Sequence, residues 1–145
     1  MFKHLLLPTD GSPSSNDAIE KGIQFARDTQ ARVTGIYVVP EFHVLTYRTD
    51  MLEDTRSQFA ADCRAHANQY LDVIQAAAIK AGVTCDAVSV SSDHPFEAII
   101  KTAEEKGCDL IVMASHGRRG VRGLLLGSET HKVLTHSKIP VLVYR

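Results

Sequence analysis

Residues Asp109–Ser128, DLIVMASHGRRGVRGLLLGS, decide how this chain reads. Leu110-Ile111-Val112-Met113 is apolar throughout, as expected of a short strand buried on both faces. It breaks into a loop with Gly117, Gly120 and Gly123, between which stand Arg118, Arg119 and Arg122. The loop closes on Gly127-Ser128, and Glu129–His136 reads as a helix. A strand, a glycine-rich basic loop and a helix start, in that order, suit a phosphate. Glycines let backbone N–H groups approach an anion, and the free amides of a first helical turn point at it. Ser128 adds a hydroxyl donor, so the segment is expected to bind the phosphates of a nucleotide. On spacing alone, a solvated surface loop fits as well. The loop is not of the Walker type, because it lacks a Gly-Lys-Ser/Thr ending, and no Gly-x-Gly-x-x-Gly occurs anywhere.

Working outward, strand and helix patterns alternate along the whole chain. Lys3–Pro8 is an apolar strand, followed by the turn Thr9-Asp10-Gly11-Ser12. Ser12 suits a helix cap and Pro13 a first helical position, and Ala18, Ile19, Gly22, Ile23 and Ala26 recur at helical spacing. Arg32–Val39 is a second strand, ended by Pro40. Glu41–Asp50 reads as a surface excursion, and 51–81 as a helix with Phe59, Cys63, Ala67, Tyr70, Leu71, Ile74 and Ala78 on one face. Thr84–Val90 is a third strand, Pro95–Lys106 a helix, and Ile139–Tyr144 the fifth strand. This alternation predicts an α/β fold: one domain, with a doubly wound five-stranded parallel sheet and helices on both faces. With strand order 3-2-1-4-5, the winding reverses between strands one and four, where ligands bind at the carboxyl ends. The turn holding Asp10 and the loop Ala114–Ser128 would then face each other.

Composition narrows the function. The chain has 145 residues, enough for one cored domain, and a net charge of −1, so no global field favours nucleic acid. Cys63, Cys85 and Cys108 form no Cys-x-x-Cys pair, which predicts reduced thiols in a cytoplasmic protein without a disulfide framework. No apolar run approaches the roughly 20 residues of a bilayer span, and no signal peptide is expected, so no membrane partner is expected. The seven histidines show no ligand spacing, and no metal site of the protein's own is expected.

These residues resemble the universal stress protein family, and the resemblance covers the whole chain. It is carried by Leu7–Ser12, Tyr37-Val38-Val39, Met113–Gly117, Leu125–Ser128 and Pro140–Val143. The family's nucleotide-binding branch has Gly-x2-Gly-x9-Gly-Ser/Thr, whose last three elements fall on Gly117, Gly127 and Ser128. The resemblance implies binding of an adenine nucleotide, ATP, and a carboxylate beside the phosphates, Glu129, would invite a divalent cation, Mg or Mn. It implies that Asp10, with Pro8 and Thr9, lies beside the adenosine, that Val38 offers backbone groups to adenine, and that Met113 supplies an apolar wall. Gly117, Gly127, Ser128, Glu129 and Thr130 would hold phosphates through amides and hydroxyls, with His116, Arg118 and Arg119 along the phosphate path. Ala114 stands where the family has its first motif glycine. At positive φ an alanine would cost about 1–2 kcal/mol. As a strand end at negative φ, the reading preferred here, it only narrows the space beside the ribose.

No nucleophile–base pair can be read, so a dedicated catalyst is not expected. Slow hydrolysis with Asp10 or Glu129 as metal partners is conceivable chemistry. The expectation is an ATP-binding stress-response regulator or sensor. The alternatives are a nucleotide-free dimeric scaffold and a small ATP-using nucleotidyl transferase or hydrolase. The terminal strand, residues 140–144, would sit at the sheet edge, and a homodimer through it would cover unpaired backbone groups, as the resemblance also implies. A regulatory protein partner is not legible.

Overall fold

The computed structural model describes residues 1–42, 49–117 and 126–145. Nine elements follow one another: β1 His4–Thr9, α1 Pro13–Thr29, β2 Arg32–Val39, α2 Thr49–Ala81, β3 Cys85–Ser91, α3 Pro95–Lys106, β4 Leu110–Ala114, α4 Ser128–His136 and β5 Val141–Tyr144. All pairings are parallel, in the order β3-β2-β1-β4-β5. The doubly wound sheet is as expected. Element ends differ by one or two residues. β5 begins at Val141 because Pro140 has no N–H to give a ladder, although its carbonyl accepts from Ile111 N–H at 3.0 Å. α2 starts at Thr49, inside the expected excursion, of which residues 43–48 lie outside the described residues.

The two faces of the sheet hold separate cores. Leu5, Leu7, Val33 and Val112 pack under α1 and α2 with Ile19, Ile23, Leu71 and Ile74. Leu6, Ile36, Ile111 and Met113 point the other way, onto Ile99 and Ala103 of α3 and Val133 of α4. The period of two in a strand makes this division, and the fully buried β4 sits at its centre. Ser12 caps α1, its hydroxyl accepting from Ser15 N–H at 3.2 Å.

One polar group crosses the amino-terminal end of the sheet. His4 is buried, and its Nε2 lies 2.7 Å from Thr34 Oγ1. Thr34 gives its only hydroxyl proton to Asp86, which also accepts from Lys106 Nζ at 3.2 Å. Thr34 therefore accepts from His4 Nε2–H, and the buried Nδ1 has no hydrogen-bond partner within bonding distance among the described residues. Desolvation, helped by the charge of Arg32, holds the imidazole below its ordinary 6.5 against the opposing pull of Asp86, the Lys106 backbone and Asp109. At Asp86 desolvation pushes upward, but hydrogen bonds from Thr34 and Lys106 and the Lys106 charge outweigh it, so its carboxyl sits below the usual range.

Both shifts have the same consequence in acid. A histidine with a lowered folded pKa contributes stability above its ordinary value and loses it as pH falls through the folded one. Asp86 likewise loses its contribution as it is protonated. Urea unfolding should therefore show stability falling as pH drops from about 7 to 5. His4→Phe should flatten that slope, and an unchanged slope would remove His4 as its source.

Candidate functional site

The winding reverses between β1 and β4, and the loops leaving those strands meet there. After β1, Asp10 Oδ1 accepts from Ser12 N–H at 2.9 Å and from Ser15 Oγ–H at 2.8 Å, which pins the carboxylate over the start of α1. Gly11 adopts φ +79°, and a Cβ there would enter the ring of Tyr70 from α2. Two constraints thus require glycine at that turn, one conformational and one steric. The Tyr70 ring meets Tyr37 edge-on at 5.3 Å and stacks with His66 at 5.8 Å.

After β4, two hydrogen bonds join the start of α4 to the end of the strand. Gly127 N–H donates to Ser115 O at 2.6 Å, and Thr130 Oγ1–H donates to Ala114 O at 2.9 Å in a buried position. Gly127 is the N-cap, and the helix ladder opens with His131 N–H on Gly127 O at 3.0 Å. The amides of Ser128, Glu129 and Thr130 precede that first bond, and none has an acceptor among the described residues. Gly117 lies between the two loops. Its nitrogen is 3.7 Å from where a Cβ on Gly127 would sit, and its own Cβ would run into Asp10 Oδ2. The Asp10 turn and the stretch after β4, at Gly117, are therefore in contact.

Several residues singled out from the sequence have definite neighbours. Ala114 is a strand residue, and among described non-glycine residues only Gln30 has positive φ, so its methyl carries no backbone strain. Thr9 and Met113 are buried, Met113 within the core beneath α3 and α4, and Pro8 is half-buried. His116 Nδ1 lies 2.9 Å from Ser115 Oγ. Arg32 N–H donates to Lys3 O, so even-numbered residues of β2 turn their backbone groups toward β1. Val38 is one step beyond Tyr37, the partner of Thr9, and its carbonyl consequently points past the end of β1. Arg118 and Arg119 lie outside the described residues.

Three of the implied contacts are altered by this geometry. The Gly127 amide is committed to Ser115, so it is the next three amides that are open. The Thr130 hydroxyl has given its proton to Ala114, which leaves the backbone N–H as its donor. Glu129 turns its carboxylate away: Oε2 accepts from Phe96 N–H at 2.9 Å and Oε1 lies 3.2 Å from Lys132 Nζ. It caps α3, whose own N-cap His94 makes no side-chain bond, and so it is not placed as a metal partner. Among the described residues no three His, Cys, Asp or Glu side chains converge as a metal set.

A fold, a strand-end carboxylate and an open helix start of this kind can be compared with known proteins. The family model described as universal stress protein family matches residues 1–145. This chain belongs to the universal stress protein family. Among its relatives, universal stress protein YxiE of Bacillus subtilis is 31% identical over 149 residues, covering 100% of both chains. The solved structure of MJ0577, a universal stress protein of Methanocaldococcus jannaschii, superimposes with TM-score 0.83 at 29% identity, covering 99% of this chain and 95% of that one. A universal stress protein in complex with cAMP matches with TM-score 0.70 at 26% identity, over 99% and 97% of the two chains.

Ser15, Ser115 and Tyr70 are site neighbours that sequence reasoning passed over. The signal for Ser15 was present, since a hydroxyl five residues after a turn aspartate lies in reach once a helix begins at Pro13. Ser115 acts through its carbonyl, and Tyr70 comes from a distant helix, so neither had a local signal. Gly117→Ala should push the Asp10 carboxylate off its bonds to Ser12 and Ser15, destabilising the protein by about 1–3 kcal/mol. Chemical denaturation checks this, and a change within error would mean that Asp10 yields freely.

Proposed function

We propose that this universal stress protein binds an adenine nucleotide at the β1–β4 switch point and acts as a nucleotide-dependent regulator in the cytoplasm, with no dedicated catalysis. ATP, accompanied by Mg or Mn, is the preferred ligand in this reading. The observation that carries it is the trio of open amides at Ser128, Glu129 and Thr130, backed by hydrogen bonds to β4. A helix start with unfilled donors and a positive dipole end favours phosphate oxygens. The Val38 carbonyl can accept from the adenine amine, and Asp10 from a ribose hydroxyl. Gly117 has no side chain to crowd the Asp10 carboxylate. Arg118, Arg119 and His116 would add charge along the phosphates. The cation would be held chiefly by the phosphates themselves, since Glu129 is engaged elsewhere. The cAMP-bound relative supports an adenine ligand for this fold at comparable sequence distance.

Calorimetric titration with Mg-ATP, cAMP and adenosine tests the reading. Mg-ATP should bind tightest, with ¹⁵N amide shifts concentrated at residues 128–130. No heat with any of the three would end the proposal, and stronger binding of cAMP would reassign the ligand. A side chain at Gly127 would sit 3.3 Å from Ser115 O and loosen the joint between β4 and α4. Gly127→Val should accordingly weaken Mg-ATP at least tenfold while far-UV circular dichroism is retained.

The same reading includes a homodimer through residues 140–144. Among the described residues β5 pairs only with β4, and Leu142 and Tyr144 of β5 and Leu134 of α4 are exposed. Sizing with light scattering should give a dimer, and Leu142→Glu should give a monomer. A wild-type monomer would remove the dimer from the proposal.

A further inference from the structure

A second concave site lies on the α1–α2 face, apart from the switch point. A cavity of about 510 Å³ opens between α2 and the carboxyl ends of β2 and β3, with Val39 and Ser89 at its floor and Phe59, Cys63 and Ala67 along its wall. This volume falls in the range of about 300–1,000 Å³ typical of small-molecule sites. None of its lining residues belongs to the set proposed for the nucleotide.

The chemistry of the lining is specific. The rings of Phe42 and Phe59 meet with centroids 5.2 Å apart, and the Arg56 guanidinium lies over the Phe42 ring at 5.6 Å. Arg64 follows two turns later on α2, about 12 Å along the axis, and also lines the cavity. No carboxylate side chain lines it, and among the described residues neither arginine has an ion-pair partner. Two guanidiniums without an ion-pair partner among the described residues, flanking paired rings, complement a flat apolar body that carries negative charge. The rings offer stacking, and the guanidinium forks offer paired donors to an anionic group.

We infer that this cavity is a second ligand site, selective for a small aromatic anion and independent of the nucleotide. Its inner end is one helical turn from Tyr70, the residue that packs on Gly11, so an occupant would lie close to the turn that carries Asp10.

Two fluorescent probes that differ only in charge test the assignment: 8-anilino-1-naphthalenesulfonate and its neutral parent N-phenyl-1-naphthylamine. The sulfonate should bind saturably to the folded protein and more tightly than the parent. Arg56→Gln combined with Arg64→Gln should weaken the sulfonate about tenfold or more, and the parent little. In the unsubstituted protein the sulfonate should slow iodoacetamide alkylation of Cys63 but not of Cys85, read by peptide mass spectrometry. Saturating Mg-ATP should leave its binding unchanged. Absence of saturable binding, equal loss of both probes, unprotected Cys63 or displacement by Mg-ATP would each overturn the inference.

Discussion

The joint between β4 and α4 is the constraint on which the rest of the site depends. Gly127 N–H on Ser115 O and Thr130 Oγ1–H on Ala114 O bring the two ends of a long loop together. One bond uses the N-cap amide and the other a buried hydroxyl, where water competes poorly. Their effect is directional. They aim the next three amides outward at the end of the strand, with the helix dipole behind them. Unfilled donors at a helix start have to find water or a ligand, and here they are held in place beforehand. Such preorganisation lowers the ordering cost that an anion would otherwise meet on binding.

The Asp10 turn is built with the same economy. Its carboxylate is held by Ser12 and Ser15 at the beginning of α1, and the backbone of Gly117 lies against its other oxygen. Gly11 is pressed by Tyr70 of α2, which packs beside α1 on the same face of the sheet, so α2 supports a turn far from it in sequence. Glu129 extends the scaffold on the other face by capping α3, which ties the starts of α3 and α4 together. Its charge is thereby engaged by an amide and by Lys132, and a second anion in the neighbouring crevice meets less repulsion. A carboxylate that looks like a metal ligand in the sequence thus has an architectural task.

The fold was legible because alternation and periodicity are local properties with a global consequence. Apolar runs such as Leu110–Met113, Pro13 and Ser12 at a helix start, and one apolar face on each helix leave few other arrangements of nine elements. The site was legible in outline for a related reason. Strand order puts the Asp10 turn beside the glycine loop once the winding reverses between strands one and four. Directions of side chains and amides were beyond reach. Nothing near Glu129 in the sequence says that Phe96 needs an acceptor, and nothing near Gly127 says that Ser115 O will take its proton. The cavity between Phe42, Phe59 and Arg64 was equally hidden, because it depends on how far α2 stands off the sheet.

By itself, the sequence determined the layered α/β architecture and the two segments that meet at the switch point, since these follow from the spacing of apolar residues and glycines, and its motifs carried the resemblance to the family. Tertiary structure alone decided which donors stay open. That outcome depends on partners contributed by other elements: Ser115 for Gly127, Ala114 for Thr130, Phe96 for Glu129 and Tyr70 for Gly11. Hydrogen bonds and close packing are short-ranged, so their pairing is settled only when the chain has brought distant residues within a few ångströms.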